Sequence, residues 1–212
     1  MSLSASVPVI AAFDFDGTLT RRDTLLPFLR RGLGWPRFLW AVLRCLPWLA
    51  AYALRLVPNH VAKARLLRAT LSGRTTAEIQ AWTTRWMTND FPGQLRPWSM
   101  ERLAFHQQAK HCCVMVSASP DIYLLQVAQQ LGFDALICTE LEVVSGCLTG
   151  VMRTPNCHGE QKVLRLKAWM AERFALRAAG GWTLYAYGDS ACDRPMLRLA
   201  DEAWYRSKPW RE

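Results

Sequence analysis

The stretch "VIAAFDFDGTLT", residues 9–20, carries two carboxylates out of a short apolar run and follows them with a glycine. The apolar residues that lead to Phe13 are typical of a buried strand, and Asp14 and Asp16 follow where that strand ends. Open parallel sheets place their sites beyond the carboxyl ends of the strands. Gly17 then lets the backbone bend sharply. The stretch therefore predicts a strand that delivers two acids to a functional site.

Similar apolar runs recur along the chain and alternate with helical patterns. We predict strands at 8–14, 112–117, 134–139, 183–188 and 202–205. Helices are expected at about 94–110, 120–131, 160–177 and 193–199. This alternation predicts an α/β fold with a doubly wound parallel sheet. The stretch 141–152 instead predicts a short β-hairpin that turns at Ser145-Gly146.

Residues 24–92 differ from the rest, because apart from turns they follow helical patterns without strands. We predict that they form a helical cap inserted after the first strand. The catalytic core would then consist of residues 1–23 and 93–212. A chain of 212 residues is long enough for one core domain with such an insertion.

The positive charge of the chain is concentrated in this predicted cap. The formal net charge is +9, and residues 21–90 hold 12 Lys or Arg against 3 acids, which accounts for the whole excess. So uneven a distribution favours an anionic partner, and nucleic acid and acidic lipid both qualify. No separate nucleic-acid-binding motif accompanies the charge, so we expect no nucleic-acid partner.

Residues 35–58 are the most apolar part of the cap. Uncharged runs there reach only six and ten residues, shorter than the roughly 20 that span a bilayer. The spacing of Arg37, Arg44 and Arg55 returns each to within about 20° of one helical stripe. This pattern favours one helix, or two helices breaking at Pro47, that lies in the interface of an anionic membrane. The alternative is that the apolar face packs on the catalytic domain or on a second subunit.

The cysteines and the N-terminus bear on the compartment. Seven cysteines form an odd set without CxxC spacing, which favours a reducing compartment over a disulfide framework or a zinc site. Residues 1–13 have no basic n-region and run straight into the first aspartates, unlike a cleavable signal peptide. We therefore expect a cytoplasmic location.

Three further motifs fall at the predicted carboxyl edge of the sheet. They contribute Ser117 in "VMVSASP", Lys162 in "HGEQKV", and Asp189 and Asp193 in "YGDSACDRPML". Taken singly, each has an ordinary explanation, because polar residues at strand ends often cap helices or form turns. Several acids, a lysine and a serine that converge on one sheet edge are much harder to obtain by chance.

In this order, DxDGT, a strand-end serine, a lysine that opens a helix and GDxxxD resemble the four motifs of the haloacid dehalogenase-like phosphohydrolases, over residues 13–193. The resemblance implies a Rossmann-like core. The helical insertion resembles the small cap of the phosphoserine-phosphatase branch, subfamily IB. Within that branch, the apolar arginine-bearing stretch and the motif "CHGEQKV" are most similar to the type C phosphatidylglycerophosphatases.

The resemblance implies a Mg²⁺-dependent phosphomonoesterase. Asp14 would attack phosphorus to form an aspartyl-phosphate, and Asp16 would protonate the leaving group and then activate water. The implied Mg²⁺ ligands are Asp14, Asp16 through its main-chain carbonyl, and Asp189, with Asp193 a ligand or a neighbour of one. The implied phosphate-binding groups are Ser117, Lys162 and the backbone N–H groups of Phe15, Gly17 and Thr18.

Two further predictions concern residues outside these motifs. Asp23 stands where phosphoserine phosphatases carry a substrate-binding glutamate. We expect it to cap the helix that begins near Thr24, or else to contact polar groups of the substrate. We expect His60, His106 and His111 to be surface residues.

Three functions follow as hypotheses. The first is hydrolysis of phosphatidylglycerophosphate to phosphatidylglycerol, by a protein held peripherally on the inner face of the cell membrane. The second is a soluble phosphatase for a small metabolite, similar to phosphoserine phosphatase. The third is a non-catalytic membrane adaptor that keeps only the fold.

Overall fold

The computed structural model describes residues 7–174 and 181–211 and shows an α/β core with an inserted group of helices. Its strands are β1 (Val9–Phe13), β2 (Cys112–Pro120), β3 (Ala135–Thr139), β4 (Leu141–Val144), β5 (Cys147–Met152), β6 (Thr183–Gly188), β7 (Glu202–Tyr205) and β8 (Lys208–Pro209). The main sheet has the order β3-β2-β1-β6-β7-β8. All neighbours in it pair in parallel except β8, which pairs antiparallel with β7.

In the described ranges, four α-helices form the cap and four others belong to the core. The cap helices are α1 (Leu25–Leu33), α2 (Trp35–Ala53), α3 (Asn59–Leu71) and α4 (Thr76–Asn89). The core helices are α5 (Pro97–Gln108), α6 (Asp121–Gln130), α7 (Glu160–Phe174) and α8 (Arg194–Leu199). The predicted fold, helical insertion and hairpin are confirmed, whereas β8 was not predicted. The predicted extension of α7 to residue 177 lies outside the described residues.

Both faces of the main sheet are buried, which is why its strands are apolar on both sides. On β1, Ala11 and Phe13 belong to one apolar cluster, while Ile10 and Ala12 belong to a second one on the opposite face. The ring of Tyr187 on β6 stacks on Phe13 with centroids 4.3 Å apart. This packing fixes the ends of the two strands that carry the predicted acids.

Aromatic side chains join the cap to the first of these faces. The ring of Phe28 on α1 lies 4.7 Å from the ring of Tyr123 on α6, and Trp86 on α4 lies 5.5 Å from the same tyrosine. All three side chains are almost fully buried. Aromatic pairs at such distances contribute about 0.5–1.5 kcal/mol beyond area burial, so this cluster stabilises the seating of the cap.

Helix α2 lies on the outside of the cap, and its buried residues are Ala41 and Cys45. Leu39, Leu43 and Leu46 follow one another at helical spacing and are 52%, 50% and 53% exposed. Trp35 and Trp40, each 64% exposed, extend the same side. We call these five exposed residues of α2 the outer face. Among residues 7–174 and 181–211, no core contact buries it, so it does not pack on the described part of the catalytic domain.

The structure settles one detail of the predicted α2 region and corrects another. Of the two predicted alternatives, the single helix is present: α2 continues through Pro47 to Ala53. Arg55 lies beyond the helix in a left-handed conformation with a φ of 60°, so the predicted arginine stripe is limited to Arg37 and Arg44. Across residues 7–174 and 181–211, none of the helices combines the length and apolarity required of a membrane span.

The hairpin of β4 and β5 is hydrogen-bonded to the loop between α3 and α4. Gly73 N donates to Leu148 O at 2.9 Å, and Leu148 N donates to Arg74 O at 2.8 Å. Thr76 N donates to Gly146 O at 2.9 Å. A segment from late in the chain is therefore attached to the cap by main-chain hydrogen bonds.

His106 is fully buried, so the expectation that it is a surface residue was wrong. Its Nε2 lies 2.7 Å from the Tyr187 hydroxyl, and its Nδ1 lies 2.8 Å from Nδ1 of His111. Both ring nitrogens therefore have hydrogen-bond partners, which makes burial of the imidazole tolerable. Burial, His111 and Arg102 together lower the pKa of His106 to about 4.

This buried imidazole is expected to make the fold sensitive to acid. The unfolded chain takes up a proton at His106 near pH 6.5, whereas the folded chain does so only near pH 4. The contribution of His106 to stability is therefore constant above pH 6.5 and falls between pH 6.5 and about 4, by about 3 kcal/mol. Urea unfolding across this range should show a shallower pH dependence in His106→Gln than in the wild type. His60→Gln, at an exposed position, is the matched control; an unchanged slope in His106→Gln would contradict the assignment.

Candidate active site

The predicted site residues meet at the carboxyl edge of the sheet because β1 lies between β2 and β6. They surround a cavity of about 670 Å³ between the core and the cap. The predicted residues that line it are Asp14, Asp16, Gly17, Ser117, Lys162 and Asp189. Phe15, Thr18 and Asp193 are buried next to them. The four sequence motifs thus form one site.

Asp14 is held by two side chains in the floor of this cavity. Thr18 Oγ1 donates to Asp14 Oδ2 at 2.8 Å, and Lys162 Nζ donates to Oδ1 at 2.5 Å. Burial and the nearby Asp193 raise the pKa of Asp14 to about 8, although Lys162 opposes the shift. Sequence reasoning assigned Thr18 only a backbone role and missed its hydroxyl, which fixes the carboxylate's orientation.

Lys162 is buried between two carboxylates. Its ammonium group donates to Asp14 and, at 2.6 Å, to Asp193 Oδ1. The second oxygen of Asp193 accepts from the amides of Asp189 and Ser190, at 3.2 Å and 3.0 Å, and from the Ser190 hydroxyl at 2.7 Å. Although burial opposes ionisation, Lys162 and these donors lower the pKa of Asp193. Asp193 therefore orders the 189–190 turn and orients the lysine.

Asp16 accepts hydrogen bonds on both carboxylate oxygens. Its Oδ1 accepts from the amide and from the hydroxyl of Thr24, each at 2.7 Å, and its Oδ2 accepts from the Ser119 hydroxyl. Burial and Asp23 raise the pKa of Asp16 to about 6, and the three donors act against that shift. Thr24, directly before α1, and Ser119, two residues after Ser117, were both missed. Their signal in the sequence was only a hydroxyl residue near a motif.

Three carboxylates form a group that fits a divalent cation. Ligand atoms of Asp14, Asp189 and Asp193 all lie within 4.8 Å of one another. Lys162 brings one positive charge to three acids, so additional positive charge would stabilise the group. Carboxylate oxygens are the ligands that Mg²⁺ prefers. The donor set therefore agrees with the predicted Mg²⁺ site.

Gly17 allows the Asp189 carboxylate to approach the backbone. The glycine has a φ of +81°, and a Cβ at this position would overlap the oxygens of Asp189. Any residue with a Cβ would therefore displace that carboxylate, and only glycine fits here. The glycine of the first motif is thus required by the acid of the fourth.

Ser117 and Asp23 lie on two sides of the cavity. Ser117 is buried, and its Oγ accepts from Ser119 N at 3.0 Å. Asp23 is exposed, and its Oδ1 accepts from Leu25 N at 3.1 Å. The predicted capping contact is therefore present, although Asp23 also lines the cavity.

The cap supplies the wall opposite these acids. Leu26, Leu49, Tyr52 and Leu66 make much of this wall apolar. Lys63 of α3 adds a basic group to it. The cavity therefore combines a charged floor with a largely apolar cap side, and sequence reasoning identified the floor but not Lys63.

The fold and the arrangement of acids, lysine and serine define a hydrolase of the haloacid dehalogenase class. The chain belongs to the haloacid dehalogenase-like hydrolase family, whose model matches residues 11–198.

Two curated proteins are similar to this chain in sequence. Protein CicA of Caulobacter vibrioides is 36% identical over 200 residues, covering 94% of this chain and 86% of CicA. A histidinol-phosphatase of Neisseria meningitidis serogroup C is 30% identical over 136 residues, covering 63% of this chain and 60% of that protein. Neither name is that of a phosphatidylglycerophosphatase, so the finer resemblance to that enzyme is not shown.

Solved structures agree in fold. A protein of unknown function from Bordetella pertussis Tohama I matches with a TM-score of 0.78 at 23% identity, covering 93% of this chain and 89% of that one. A probable phosphoserine phosphatase from Vibrio cholerae matches with a TM-score of 0.67 at 14% identity, covering 95% of this chain and 58% of that one. The predicted resemblance to phosphoserine-phosphatase-like structures is therefore confirmed at the level of the fold.

Proposed function

We propose that this protein is a Mg²⁺-dependent phosphomonoesterase that works through an aspartyl-phosphate and dephosphorylates phosphatidylglycerophosphate at a membrane surface. The convergence of Asp14, Lys162 and Asp189 on one cavity supports the phosphatase activity. The exposed outer face of α2 is the observation that favours a lipid substrate. We place the protein on the inner face of the cell membrane.

In this mechanism Asp14 is the nucleophile. Thr18 holds one oxygen of its carboxylate, which limits the rotations that would misalign attack on phosphorus. Lys162, in contact with the same carboxylate, offsets the repulsion between it and an anionic phosphate. Ser117 and the backbone N–H groups of the turn after Asp14 would bind the phosphoryl oxygens.

Asp16 is the group proposed to move the proton. A pKa raised to about 6 lets this carboxyl hold a proton at a pH closer to neutral than an ordinary aspartic acid does. It would give that proton to the leaving oxygen and, as a carboxylate, take one from the water that hydrolyses the aspartyl-phosphate. Donating the proton leaves Asp16 as the base that the second step needs.

The metal site would be formed by the carboxylates of Asp14 and Asp189 and the main-chain carbonyl of Asp16. Asp193, already held by Lys162 and the 189–190 turn, would orient the site beside them. Bound there, Mg²⁺ would supply positive charge against the phosphoryl group.

The proposal of a lipid substrate depends on an apolar surface that runs from α2 into the cavity. Leu49 and Tyr52, at the end of α2, line the cavity, while the outer face lies earlier on the same helix. Tyr52 and Leu26 line the cavity and are 43% and 46% exposed, so they join the two surfaces. An acyl chain could follow this surface while its phosphate reaches Asp14.

The charges around α2 favour an anionic membrane. Arg37 and Arg44 of α2 are both exposed. The guanidinium group of Arg65 on α3 lies 4.5 Å from the centroid of Trp48, on the side of α2 that faces α3. Each basic residue near an anionic surface contributes about 1 kcal/mol to binding.

The direct test is phosphate release with Mg²⁺ from phosphatidylglycerophosphate in mixed micelles, beside phosphoserine and histidinol phosphate. We expect turnover of the lipid to exceed that of the two soluble esters by at least about 100-fold in kcat/KM, because only the lipid uses the apolar wall. Rapid turnover of phosphoserine with none of the lipid would overturn the lipid assignment.

A second candidate is a soluble phosphatase for a small metabolite. It is favoured by the Neisseria relative named histidinol-phosphatase and by Asp23, a carboxylate at the cavity that could bind an amino group. In that case the outer face of α2 would be covered by a second copy of the chain. Absence of vesicle binding, together with a dimer in sedimentation, would support this candidate.

Removing apolar side chains from the outer face is expected to weaken membrane binding. Leu39→Ser combined with Leu43→Ser should lower partitioning onto phosphatidylglycerol vesicles at least about 10-fold, because burying one leucine contributes about 1.5–3 kcal/mol. Both side chains are exposed, so the free energy of unfolding should change little. Vesicle sedimentation measures the effect, and Leu164→Ser, at an exposed leucine of α7, is the control.

A further inference from the structure

Strand β2 departs from regular pairing next to the active site. Ser117 pairs with Cys138 and Pro120 pairs with Thr139, so residues 118–119 of β2 bulge out between consecutive residues of β3. A bulge takes residues out of the ladder and re-aims their side chains. Here it directs Ser119 to Asp16 and leaves the carbonyl of Ala118 to accept from side chains.

Side chains from both the core and the cap bind that carbonyl. Thr139 Oγ1 donates to Ala118 O at 2.7 Å, and Lys63 Nζ of α3 donates to the same oxygen. Lys63 also donates to Asn156 Oδ1 at 2.8 Å. Asn156 Nδ2 in turn donates to Asn59 Oδ1 of α3 at 3.1 Å. We call these five residues the polar clasp.

The ammonium group of Lys63 is held in the clasp by neutral acceptors. In the part of the chain that the structure describes, no carboxylate forms an ion pair with it. Burial lowers the pKa of Lys63 to about 8, although Asp16 and Asp23 act in the other direction. Lys63 is only partly buried, but removing part of the water from an ammonium group without an ionic partner still costs free energy. Simple attachment of the cap therefore does not account for a lysine here.

We propose that Lys63 is a positioning residue for the reaction. By holding the Ala118 carbonyl, it fixes the bulge that presents Ser117 to the phosphate and Ser119 to Asp16. The seating of the cap then sets the geometry of the acid-base carboxylate, which Lys63 itself does not touch. This inference rests on the proposed phosphatase function.

Hydrolysis of p-nitrophenyl phosphate with Mg²⁺ separates positioning from substrate binding, because its leaving group carries no second anion. Lys63→Met should lower kcat at least about 10-fold with little change in KM, since misplacing reacting groups by about 1 Å costs up to about 100-fold. Arg68→Met, at an exposed arginine of the same helix, should leave both constants unchanged. An unchanged kcat in Lys63→Met would show that Lys63 serves only to bind a substrate's own anionic group, and would overturn the proposal.

A double-mutant cycle identifies the route of the effect. If Lys63 acts through the bulge, Ser119→Ala removes most of what Lys63 contributes, and the double variant should be about as slow as Ser119→Ala alone. If the losses in kcat of the two single variants simply multiplied in the double variant, Lys63 would not act through Ser119, which would contradict the proposed effect on Asp16. Should Lys63→Met fail to fold, Asn156→Ala removes one of its acceptors and should lower kcat in the same direction.

Amide hydrogen exchange tests whether Lys63 fixes the bulge of β2, and it needs no enzymatic turnover. The amides of residues 117–120 should exchange at least about 10-fold faster in Lys63→Met than in the wild type, because the bulge loses a fixed partner. Unchanged exchange would overturn the positioning role. A wild-type protein inactive on every phosphomonoester, with the exchange difference present, would instead overturn the proposed function.

Discussion

Asp14→Asn is expected to abolish phosphate release while leaving the fold intact. The amide cannot attack phosphorus, so kcat should fall by on the order of 10⁴-fold or more, as for other nucleophile replacements. Because burial and Asp193 raise the pKa of Asp14, a neutral amide relieves repulsion in the folded state. The melting temperature in the absence of metal should therefore be equal to or above that of the wild type.

Phosphate release and thermal unfolding of the same preparation measure both effects. Mass spectrometry of acid-quenched wild-type enzyme should in addition find a phosphoryl group on the peptide that contains Asp14, and Asp14→Asn should lack it. Glu172→Gln, at an exposed acid of α7, is the control for loss of one carboxylate. Retention of biological function by Asp14→Asn would favour the non-catalytic adaptor hypothesis instead.

Lys162→Met is expected to damage stability and activity together. The lysine is the buried cation between Asp14 and Asp193, with Nζ–O distances of 2.5 Å and 2.6 Å. Its loss leaves two buried carboxylates without their ionic partner, a change that typically costs about 3–5 kcal/mol. Loss of a charge that faces the reacting group should also lower kcat at least about 100-fold.

The pairing with Asp193 provides an internal check. Lys162→Met combined with Asp193→Asn removes one of the two carboxylates that repel each other once the lysine is gone. Urea unfolding should therefore show that part of the lost free energy of unfolding is recovered, while activity stays low. Lys167→Met, at an exposed lysine of the same helix, should match the wild type in both assays. A Lys162→Met variant as stable as the wild type would contradict the geometry of this ion-pair group.

The sheet and the main acids could be predicted from the sequence because local patterns determine them. Apolar runs marked β1, β2 and β6, and the rule for parallel sheets placed Asp14 and Asp189 at one edge. The side-chain partners of these acids could not be predicted in the same way. The contact of Ser119 with Asp16 depends on a bulge, and a bulge depends on the pairing register of β2 with β3.

Residues of the cap were harder to place for a related reason. A lysine in a basic helical segment looks solvated, and only the packing of α3 on the core directs Lys63 to the Ala118 carbonyl. His106 was misplaced because the apolar residues of its helix, α5, do not mark one inner face: Phe105 is exposed, whereas Ser99 and His106 are buried. Its burial is tolerated because its ring nitrogens meet Tyr187 of β6, far away in the chain, and His111, just beyond the end of α5.

The attachment of the hairpin to the loop between α3 and α4 has a consequence for chimeric enzymes. Exchanging only residues 24–92 with another family member would replace the loop whose main-chain groups bind Leu148 and Gly146, and a loop of different length would leave the edge of β5 unpaired. If residues 141–152 are transferred together with the cap, both partners of these hydrogen bonds come from the same parent protein. The transferable unit of specificity in this protein is therefore built from two separate stretches of the gene.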